Sequence, residues 1–363
     1  MYLALKEMKK NKSRFALIIA IILLISYLVF FLSALADGLS NDKVSAINLW
    51  NSKQVVLNKD ANGNVMRSQI PYKQMTNYDE EKASPLTIMR ESTFINDHRK
   101  KDDLLDVVLM GTDRDSYIWP KVIEGKEPSK KGEVIVSENM KKENALKVGD
   151  SLQLSDGNAV LKVTGITEPS KYGNTPVVYG TPDMIYSIMA KAKGMPEQYV
   201  KENSMVNALV LQKDTSVKNT AELESLTTSQ FIKDLPGYKA EQMTFLMMIG
   251  FLIVISAIIL GVFLYIITLQ KKNTFGIMKI QGITGSYIGR SVMAETVIMS
   301  VAGVFIGMVL TLLTGAVLPP AVPFKANPAY FAAMAAFMIG TSVIGSLFSM
   351  RSVSKIDPLK ALG

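Results

Sequence analysis

The chain has 363 residues, of which 48% are hydrophobic, and its positive mean hydropathy excludes an ordinary soluble protein of two domains. The formal charge of +8 does not indicate a nucleic-acid partner, because residues 37–244 hold 27 Lys and Arg against 29 Asp and Glu and the excess lies in short segments elsewhere. The chain contains no cysteine, which excludes disulfides, thiolate metal sites and thiol catalysis.

The N-terminal part of the chain combines a basic segment, residues 1–14, with an apolar run over residues 15–36 that has no charged side chain. A membrane-spanning helix needs about 20 apolar residues. The Ala34-Leu35-Ala36 sequence resembles a signal-peptidase site, but a cleavable signal has an apolar region of only about 7–15 residues. We therefore predict a retained first transmembrane helix at residues 15–36, preceded by a cytoplasmic segment.

Residues 37–244 have the pattern of a mixed α/β domain. Short β-branched runs bounded by turn residues predict strands, and helical patterns intervene at residues 137–149 and 220–235, the second with Thr220 as its N-cap and Glu224 near the position of a capping partner. The predicted strands cover residues 54–58, 106–111, 132–137, 150–155, 159–167, 176–180 and 207–212.

This domain shows no convincing catalytic or metal-binding motif. Its single histidine, His98, lies in a dense mixed-charge run that is typical of a solvated loop. A zinc site usually needs several His or Cys ligands, which one histidine does not supply. Adjacent acids such as Asp102 and Asp103 bind a cation weakly at best. We therefore predict no metal site.

Three further apolar runs follow, and none of them contains Asp, Glu, Lys or Arg. They predict transmembrane helices at residues 245–269, 292–318 (apolar from residue 297) and 329–350. An outer turn (319–328) and a C-terminal tail (351–363) complete the chain. Without ionisable residues in these runs, a helix-borne proton or sodium relay is disfavoured.

Charge places the connecting segments relative to the membrane. The N-terminal segment, residues 270–291 and the tail are short and rich in Lys and Arg, which predicts that all three are cytoplasmic. The domain at 37–244 and the outer turn are then extracytoplasmic.

Residues 270–291 are basic, rich in glycine and free of acids. The chain has no G-x-x-x-x-G-K-[ST] phosphate loop, so any energy from ATP must come from another protein. Two interpretations stay open from the residues alone. The segment is either an interfacial helix whose lysines lie near anionic headgroups, or a short helix docked in a partner's groove.

Four stretches resemble the MacB-like (type VII) ABC transporter permeases, a family that includes FtsX and the lipoprotein-release permeases. They are QKKNTFGIMKIQGITGSYI after the second apolar run, SVMAETVIMSVAGVFIG at the start of the third, the ending SVSKIDPLKALG, and KGEVIVSENMKKENALKVGDSLQL within the large domain. The resemblance covers nearly the whole chain. Within the family, the haem-exporter permeases are the most similar subgroup, through MYLALKEMKKNKSRFALI, LADGLSNDKVSAI, GYKAEQMTFLMM and PPAVPFKANP.

The resemblance implies an α-helical membrane protein with four transmembrane helices and a mixed α/β extracytoplasmic domain inserted between helices 1 and 2. It implies a homodimer in the lipid membrane that is joined to two cytoplasmic ABC ATPase subunits. ATP is bound and hydrolysed on those subunits, so this chain is not itself an enzyme and has no intrinsic cofactor. The substrate implied is haem, extruded laterally from the outer leaflet of the membrane.

The segment at 270–291 then corresponds to the family's coupling segment. The residues implied in ATPase coupling are Phe275, Gly276, Met278, Lys279, Ile280 and Gly282. Broader family members often have Glu where this chain has Thr274, so a salt bridge to the ATPase is not expected there.

With haem as the implied substrate, the usual axial ligands are scarce, because the chain has no cysteine and its one histidine, His98, lies in a charged run. Met, Tyr or carboxylate side chains must then serve, and Tyr172 is a candidate by the resemblance. The outer end of the second span supplies most of the candidates, two aromatic residues lie at a similar depth on the first span, and one tyrosine belongs to the large domain. They are Tyr238, Glu241, Met243, Met247, Met248, Phe30, Phe31 and Tyr172. The methionines are equally explained by packing or lipid contact, and Tyr238 by an interfacial anchor.

Two other functions remain open at this point. Related permeases export peptides or lantibiotics, and FtsX-like proteins transmit ATPase motion to the outside without transporting anything. The Met- and Tyr-rich outer end of the second span favours haem, whereas a transducer needs an exposed apolar patch outside.

Overall fold

A computed structural model describes residues 12–71, 83–96, 103–212 and 222–354. The chain divides into two compact units. The helical unit consists of Met1–Gly38 and Gln242–Gly363, and the sheet unit consists of Leu39–Glu241.

The described helices include four that are long and apolar enough to cross a membrane, namely α1, α6, α8 and α9. In chain order the helices are α1 (Lys12–Leu49), α2 (Glu138–Asn144), α3 (Pro182–Lys193), α4 (Glu197–Glu202), α5 (Thr228–Asp234), α6 (Tyr238–Gln270), α7 (Lys272–Ile280), α8 (Gly285–Val317) and α9 (Pro328–Ser354).

Two of the apolar helices extend well past the runs predicted to span the membrane. α1 has 38 residues and α6 has 33, which at ~1.5 Å per residue gives about 57 Å and 50 Å. The hydrocarbon core of a bilayer is only ~30 Å thick. Each helix is therefore long enough to cross a bilayer and continue beyond it, and the last residues of α1 and the first of α6 are part of the sheet unit.

Small residues bring α1 and α8 into close contact inside the helical unit. Ser26 donates a hydrogen bond to the carbonyl of Gly303, and Thr311 donates one to the carbonyl of Tyr27. A Cβ at Gly307 would lie 2.1 Å from Ser26 Oγ and 3.0 Å from the Tyr27 amide nitrogen. The two backbones can approach this closely only because position 307 has no side chain.

α8 differs in one respect from the sequence expectation. The predicted apolar run lacks ionisable residues, but the helix begins earlier, at Gly285, and carries a buried Glu295 that pairs with Lys271. The expectation that no spanning helix holds an ionisable side chain is therefore wrong for α8. The polar residues before the apolar run belong to the same continuous helix.

The sheet unit is built on one large mixed sheet with a small two-stranded sheet beside it. The described strands are β1 (Gln54–Asn58), β2 (Ile70–Pro71), β3 (Ala83–Ile95), β4 (Leu105–Gly111), β5 (Val122–Gly125), β6 (Glu133–Ser137), β7 (Ser151–Leu154), β8 (Val160–Thr167), β9 (Lys171–Tyr172), β10 (Thr175–Gly180), β11 (Met205–Val206), β12 (Ala208–Leu211) and β13 (Leu223–Thr227).

The main sheet has the strand order β13-β1-β12-β3-β4-β10-β6-β8-β5. Most neighbouring strands are antiparallel, but β10 pairs with β4 and β6 with β8 in parallel, which makes the sheet mixed. One face packs around Trp50, at the end of α1, and Phe231 of α5, whose rings stack with centroids 6.2 Å apart. A second apolar cluster around Met140 and Ile185 covers strands with α2 and α3.

All seven predicted strands are present, with ends that differ by at most one residue. The longest strand, β3, was missed because Pro85 and the charged pair Arg90-Glu91 interrupt the alternating pattern. The helix predicted at 220–235 is wrong in its first half. Leu223–Thr227 is a strand, and the capping box uses Thr227 with Gln230 instead of Thr220, which lies outside the described residues.

Candidate functional site

A cavity of about 710 Å³ lies within the sheet unit. Its volume is in the ~300–1,000 Å³ range of small-molecule sites. Two cationic side chains, two thioethers, a phenol and two amides contribute to its walls, together with apolar groups. The polar and sulfur-bearing residues of the lining are Lys43, Arg90, Met66, Met89, Tyr172, Asn64 and Asn174.

Tyr172 is the buried phenol of this cavity and belongs to the apolar core of the sheet unit. Burial raises the pKa of its hydroxyl above the usual value, and the positive charge of Arg90 acts in the opposite direction. The free protein therefore holds Tyr172 as a neutral phenol at physiological pH. Arg90 is thus the nearby charge that favours the ionised form of Tyr172.

Lys43 reaches the cavity from the last turns of α1. Its ammonium forms an ion pair with Glu241, in the first turn of α6, and both side chains are largely buried. The second oxygen of Glu241 is buried without a hydrogen-bond partner among the described residues. Glu241 therefore orients Lys43 and does not itself line the cavity.

The loop that carries Tyr172 is fixed to α1 by its own backbone. The amide of Gly173 donates to the carbonyl of Lys43 at 2.9 Å, and the amide of Lys171 donates to Ser45 Oγ at 2.7 Å. The Lys171 ammonium, itself buried, lies 3.1 Å from a carboxylate oxygen of Asp42. These contacts fix the loop that carries Tyr172 to the part of α1 that carries Lys43, so both residues line the same cavity.

The predicted haem residues fall into both units. In the sheet unit, Tyr172 lines the cavity, Tyr238 packs against the same apolar core, and Glu241 pairs with Lys43. In the helical unit, the three methionines of α6 are exposed, whereas the two phenylalanines of α1 are engaged in aromatic contacts. The exposed residues are Met243, Met247 and Met248.

The aromatic pair on α1 packs against other parts of the helical unit. Phe30 is fully buried, with its ring 5.0 Å from that of Phe331 on α9. Phe31 is partly exposed and lies 5.8 Å from Tyr27 and 6.0 Å from Phe324. Of the two, Phe31 is the one with surface left for a ligand.

Six of the seven polar and sulfur-bearing residues of the cavity were not identified from the sequence. Lys43 lies on α1, Met66 lies between β1 and β2, and Met89 and Arg90 are neighbours on β3. Only the folded sheet unit brings these three segments together with Tyr172. Arg90 is exposed on the missed strand β3, where its backbone pairs with Val108 of β4.

No group of three or more Asp, Glu or His side chains gathers to hold a metal ion within the part of the chain that the structure describes. His98 and Asp102 lie outside that part, and Asp103 is exposed.

The predicted coupling segment forms a helix, a tight turn and the start of a second helix. Phe275 is buried with Ile288 and Val292 of α8, and Met278 packs against the same cluster. Gly276 is also buried, and Lys279 is partly buried. Two of the six predicted coupling residues, Phe275 and Met278, thus pack against the chain's own α8.

The opposite face of α7 is apolar and exposed. Ile277 and Ile280 have 48% and 52% of their surface accessible, and Thr274 is exposed near them. Gly282 ends the helix at φ +87°, a conformation that L side chains rarely adopt, and its amide donates to the carbonyl of Lys279. Ile277 was not among the residues predicted for coupling.

Comparison with known proteins gives matches over the whole chain. Residues 246–358 match the FtsX-like permease C-terminal family. The chain is 26% identical to the hemin transport system permease protein HrtB of Staphylococcus haemolyticus over 363 residues, which covers 100% of this chain and 99% of that protein. HrtB of Staphylococcus epidermidis strain ATCC 35984 is also 26% identical, with the same coverage of both chains.

Among solved structures, the periplasmic region of MacB from Actinobacillus actinomycetemcomitans overlaps 49% of this chain and 89% of that structure. The TM-score is 0.35 and the sequence identity 11%. The matches to the permeases confirm the resemblance predicted from the sequence.

Proposed function

We propose that this chain, an ABC transporter permease, exports haem from the outer leaflet of the membrane with energy from a partner ATPase. The observation that carries the proposal is the cavity of the sheet unit, in which a buried phenol, two cations and two thioethers surround one space. The full-length similarity to hemin transport permeases supports the same substrate.

The chemistry of the cavity fits an iron porphyrin. Arg90 and Lys43 are suited to bind the two propionates, since cation–carboxylate hydrogen bonds are among the stronger ones in proteins. The phenolate of Tyr172 is a known type of haem-iron ligand. Met66 and Met89 supply polarisable surface for the macrocycle. Glu241 acts indirectly, by holding Lys43 in place.

We assign the exposed methionines of α6 a separate role in the helical unit. Met243, Met247 and Met248 present thioethers on the surface of an apolar helix. In this proposal they contact haem that is dissolved in lipid. Different variants test the haem-binding cavity and the methionine surface, so a negative result for one of them does not decide the other.

Tyr172→Phe and Arg90→Gln are expected to weaken haem binding by the purified protein about tenfold or more. Each removes one charge-assisted or ligating interaction, for which ~1.5–3 kcal/mol is usual. Tyr172→Phe is also expected to shift the visible spectrum of bound haem, because it removes the proposed iron ligand. Titration with haem, followed by absorbance, measures both effects.

Tyr179→Phe is the matched control, because Tyr179 is equally buried in the same core, its pKa is likewise raised by burial, and it does not line the cavity. Haem affinity and spectrum should be unchanged in this variant. Unaltered binding in both Tyr172→Phe and Arg90→Gln would rule the cavity out as the haem site. A spectrum that changes instead in Met247→Ala would place the ligand on α6.

We further propose that the chain forms a homodimer that binds two copies of a cytoplasmic ABC ATPase. Both termini and α7 are cytoplasmic and the sheet unit is extracytoplasmic in this arrangement, which the distribution of Lys and Arg supports. The exposed face of α7, Thr274, Ile277 and Ile280, is the surface that meets the ATPase. It is apolar and carries no acid, so shape and burial provide the contact.

Ile277→Asp is expected to abolish copurification of the ATPase, because it places a charge in the centre of the proposed apolar contact. Ile123→Asp is the matched control, since Ile123 lies in the sheet unit and is 47% exposed against 48% for Ile277. Haem binding should persist in both variants. An Ile277→Asp protein that still retains the ATPase would contradict this surface.

Growth of a deletion strain distinguishes haem export from the other two functions. Haem sensitivity that is complemented by the wild-type chain and not by Arg90→Gln supports haem export. Sensitivity to a lantibiotic alone would indicate peptide export, and a cell-wall defect without either sensitivity would indicate an FtsX-like transducer.

A further inference from the structure

The corner between α6 and α7 contains a buried ion pair. α6 ends at Gln270, α7 begins at Lys272, and Lys271 between them has φ −89° and ψ 0°. Lys271 Nζ lies 3.1 Å from an oxygen of Glu295 on α8, and the two side chains are only 8% and 4% exposed. Lys271 was one of the lysines that the sequence analysis placed near lipid headgroups, but its side chain points into the protein.

A third helix meets the same ammonium group. The ring of Phe15 on α1 lies with its centroid 5.6 Å from Lys271 Nζ, within the range of a cation–π contact. The carbonyl of Lys271 accepts a hydrogen bond from the amide of Phe275, which begins the hydrogen-bonding of α7. One residue therefore connects α1 and α8 to the corner where α6 turns into α7.

A buried ion pair contributes little net stability to a protein. Desolvation of two charges offsets much of their attraction, and apolar residues of similar size often stabilise a protein as well or better. An ion pair differs from apolar packing in that it fixes distance and direction. Phe275 packs with Ile288 and Val292 of α8. Such apolar contacts hold α7 on α8 without the directional constraint of an ion pair.

We propose that Lys271 and Glu295 form a positioning pair that fixes the α6–α7 corner to α8, so that displacement of α7 moves α6 and α8 as one body. The role of this pair in energy coupling rests on the proposed function, in which an ATPase displaces α7. The rigidity of the corner itself does not depend on the identity of the substrate or on ATP.

The test uses four variants of the full chain, with its ATPase, in lipid nanodiscs. Glu295→Gln and Lys271→Met break the pair, Lys271→Met with Glu295→Leu replaces it by apolar residues, and Lys271→Glu with Glu295→Lys reverses it. The control is Lys142→Met with Glu138→Leu, which removes an exposed ion pair on α2 of the sheet unit. Thermal stability, the ratio of haem exported to ATP hydrolysed, and one distance are measured in each.

The distance is measured between spin labels on cysteines introduced at Asn273 of α7 and Val301 of α8, both exposed in a chain that has no native cysteine. The wild-type and control proteins should give a narrow distribution without nucleotide. The apolar double variant should keep its thermal stability yet broaden the distribution and lower the transport ratio about tenfold, within the usual size of coupling effects. Charge reversal should narrow the distribution again.

A narrow distribution and normal transport ratio in the apolar double variant would overturn the proposal. Loss of the folded protein in every variant that lacks the native pair would overturn it as well, because the pair would then serve folding. If the wild-type complex exports no haem or binds no ATPase, the proposed function fails. The distribution of distances between the two spin labels, measured without nucleotide, still shows whether Lys271 and Glu295 fix the corner.

Discussion

Gly307→Leu is expected to prevent stable assembly of the helical unit. Its Cβ would stand 2.1 Å from Ser26 Oγ and 3.0 Å from the carbonyl oxygen of Leu23, so that α1 and α8 must separate. Overpacking costs ~1–3 kcal/mol in ordinary cores and more where backbone is the obstacle. The hydrogen bonds from Ser26 and Thr311 across the two helices would be lost at the same time. Thermal stability in detergent and the amount of protein in the membrane measure the effect.

Gly250→Leu is the matched control for this substitution. Gly250 lies in α6, which is also apolar and helical, and a Cβ there meets nothing within 4 Å. The control should accumulate and melt like the wild type. Equal behaviour of the two variants would show that close approach of α1 and α8 is not needed for folding.

Trp50→Ala is expected to destabilise the sheet unit by about 3–5 kcal/mol, the usual cost of truncating a large buried aromatic. The indole is 1% exposed and stacks on Phe231, which is itself fully buried. Trp50 directly follows α1, so its loss also loosens the helix end that brings Lys43 to the cavity. Hydrogen exchange of the strand amides in the full chain measures the stability, and a haem titration measures the second effect.

Trp50→Phe should retain most of the stability, because it keeps an aromatic ring in the same contact. Trp119→Ala is the external control, since this second tryptophan is only partly buried and its indole donates to Glu127 at the surface. Strand protection that survives Trp50→Ala would show that the end of α1 is not part of the sheet core.

Local sequence pattern was sufficient for most of the secondary structure. Strand β4 and strand β8 follow from β-branched runs between turn residues, and the long helices follow from uninterrupted apolar runs. The errors arise where tertiary contacts override local pattern. β3 tolerates Pro85 and Arg90 because its neighbours β12 and β4 supply the pairing, and Leu223–Thr227 becomes a strand because β1 offers an edge.

The candidate sites were predictable only in part. Tyr172 and Ile280 were predicted through a resemblance, whereas Arg90, Met66 and Ile277 were not predicted. The residues that line a cavity, such as Lys43 and Arg90, are far apart in the chain and close together in the fold. A pattern among neighbouring residues does not indicate which distant residues meet.

The sequence by itself determined the apolar helices, the mixed α/β character of residues 37–244 and the permease resemblance, because hydropathy, periodicity and motif are properties of neighbouring residues. Only the tertiary structure decided which side of α7 is buried, that Glu295 and Lys271 pair, and that Tyr172 shares a cavity with Lys43 and Arg90. The physical reason is that burial and ion pairing are set by long-range packing, which gives the same side chain opposite roles in different surroundings.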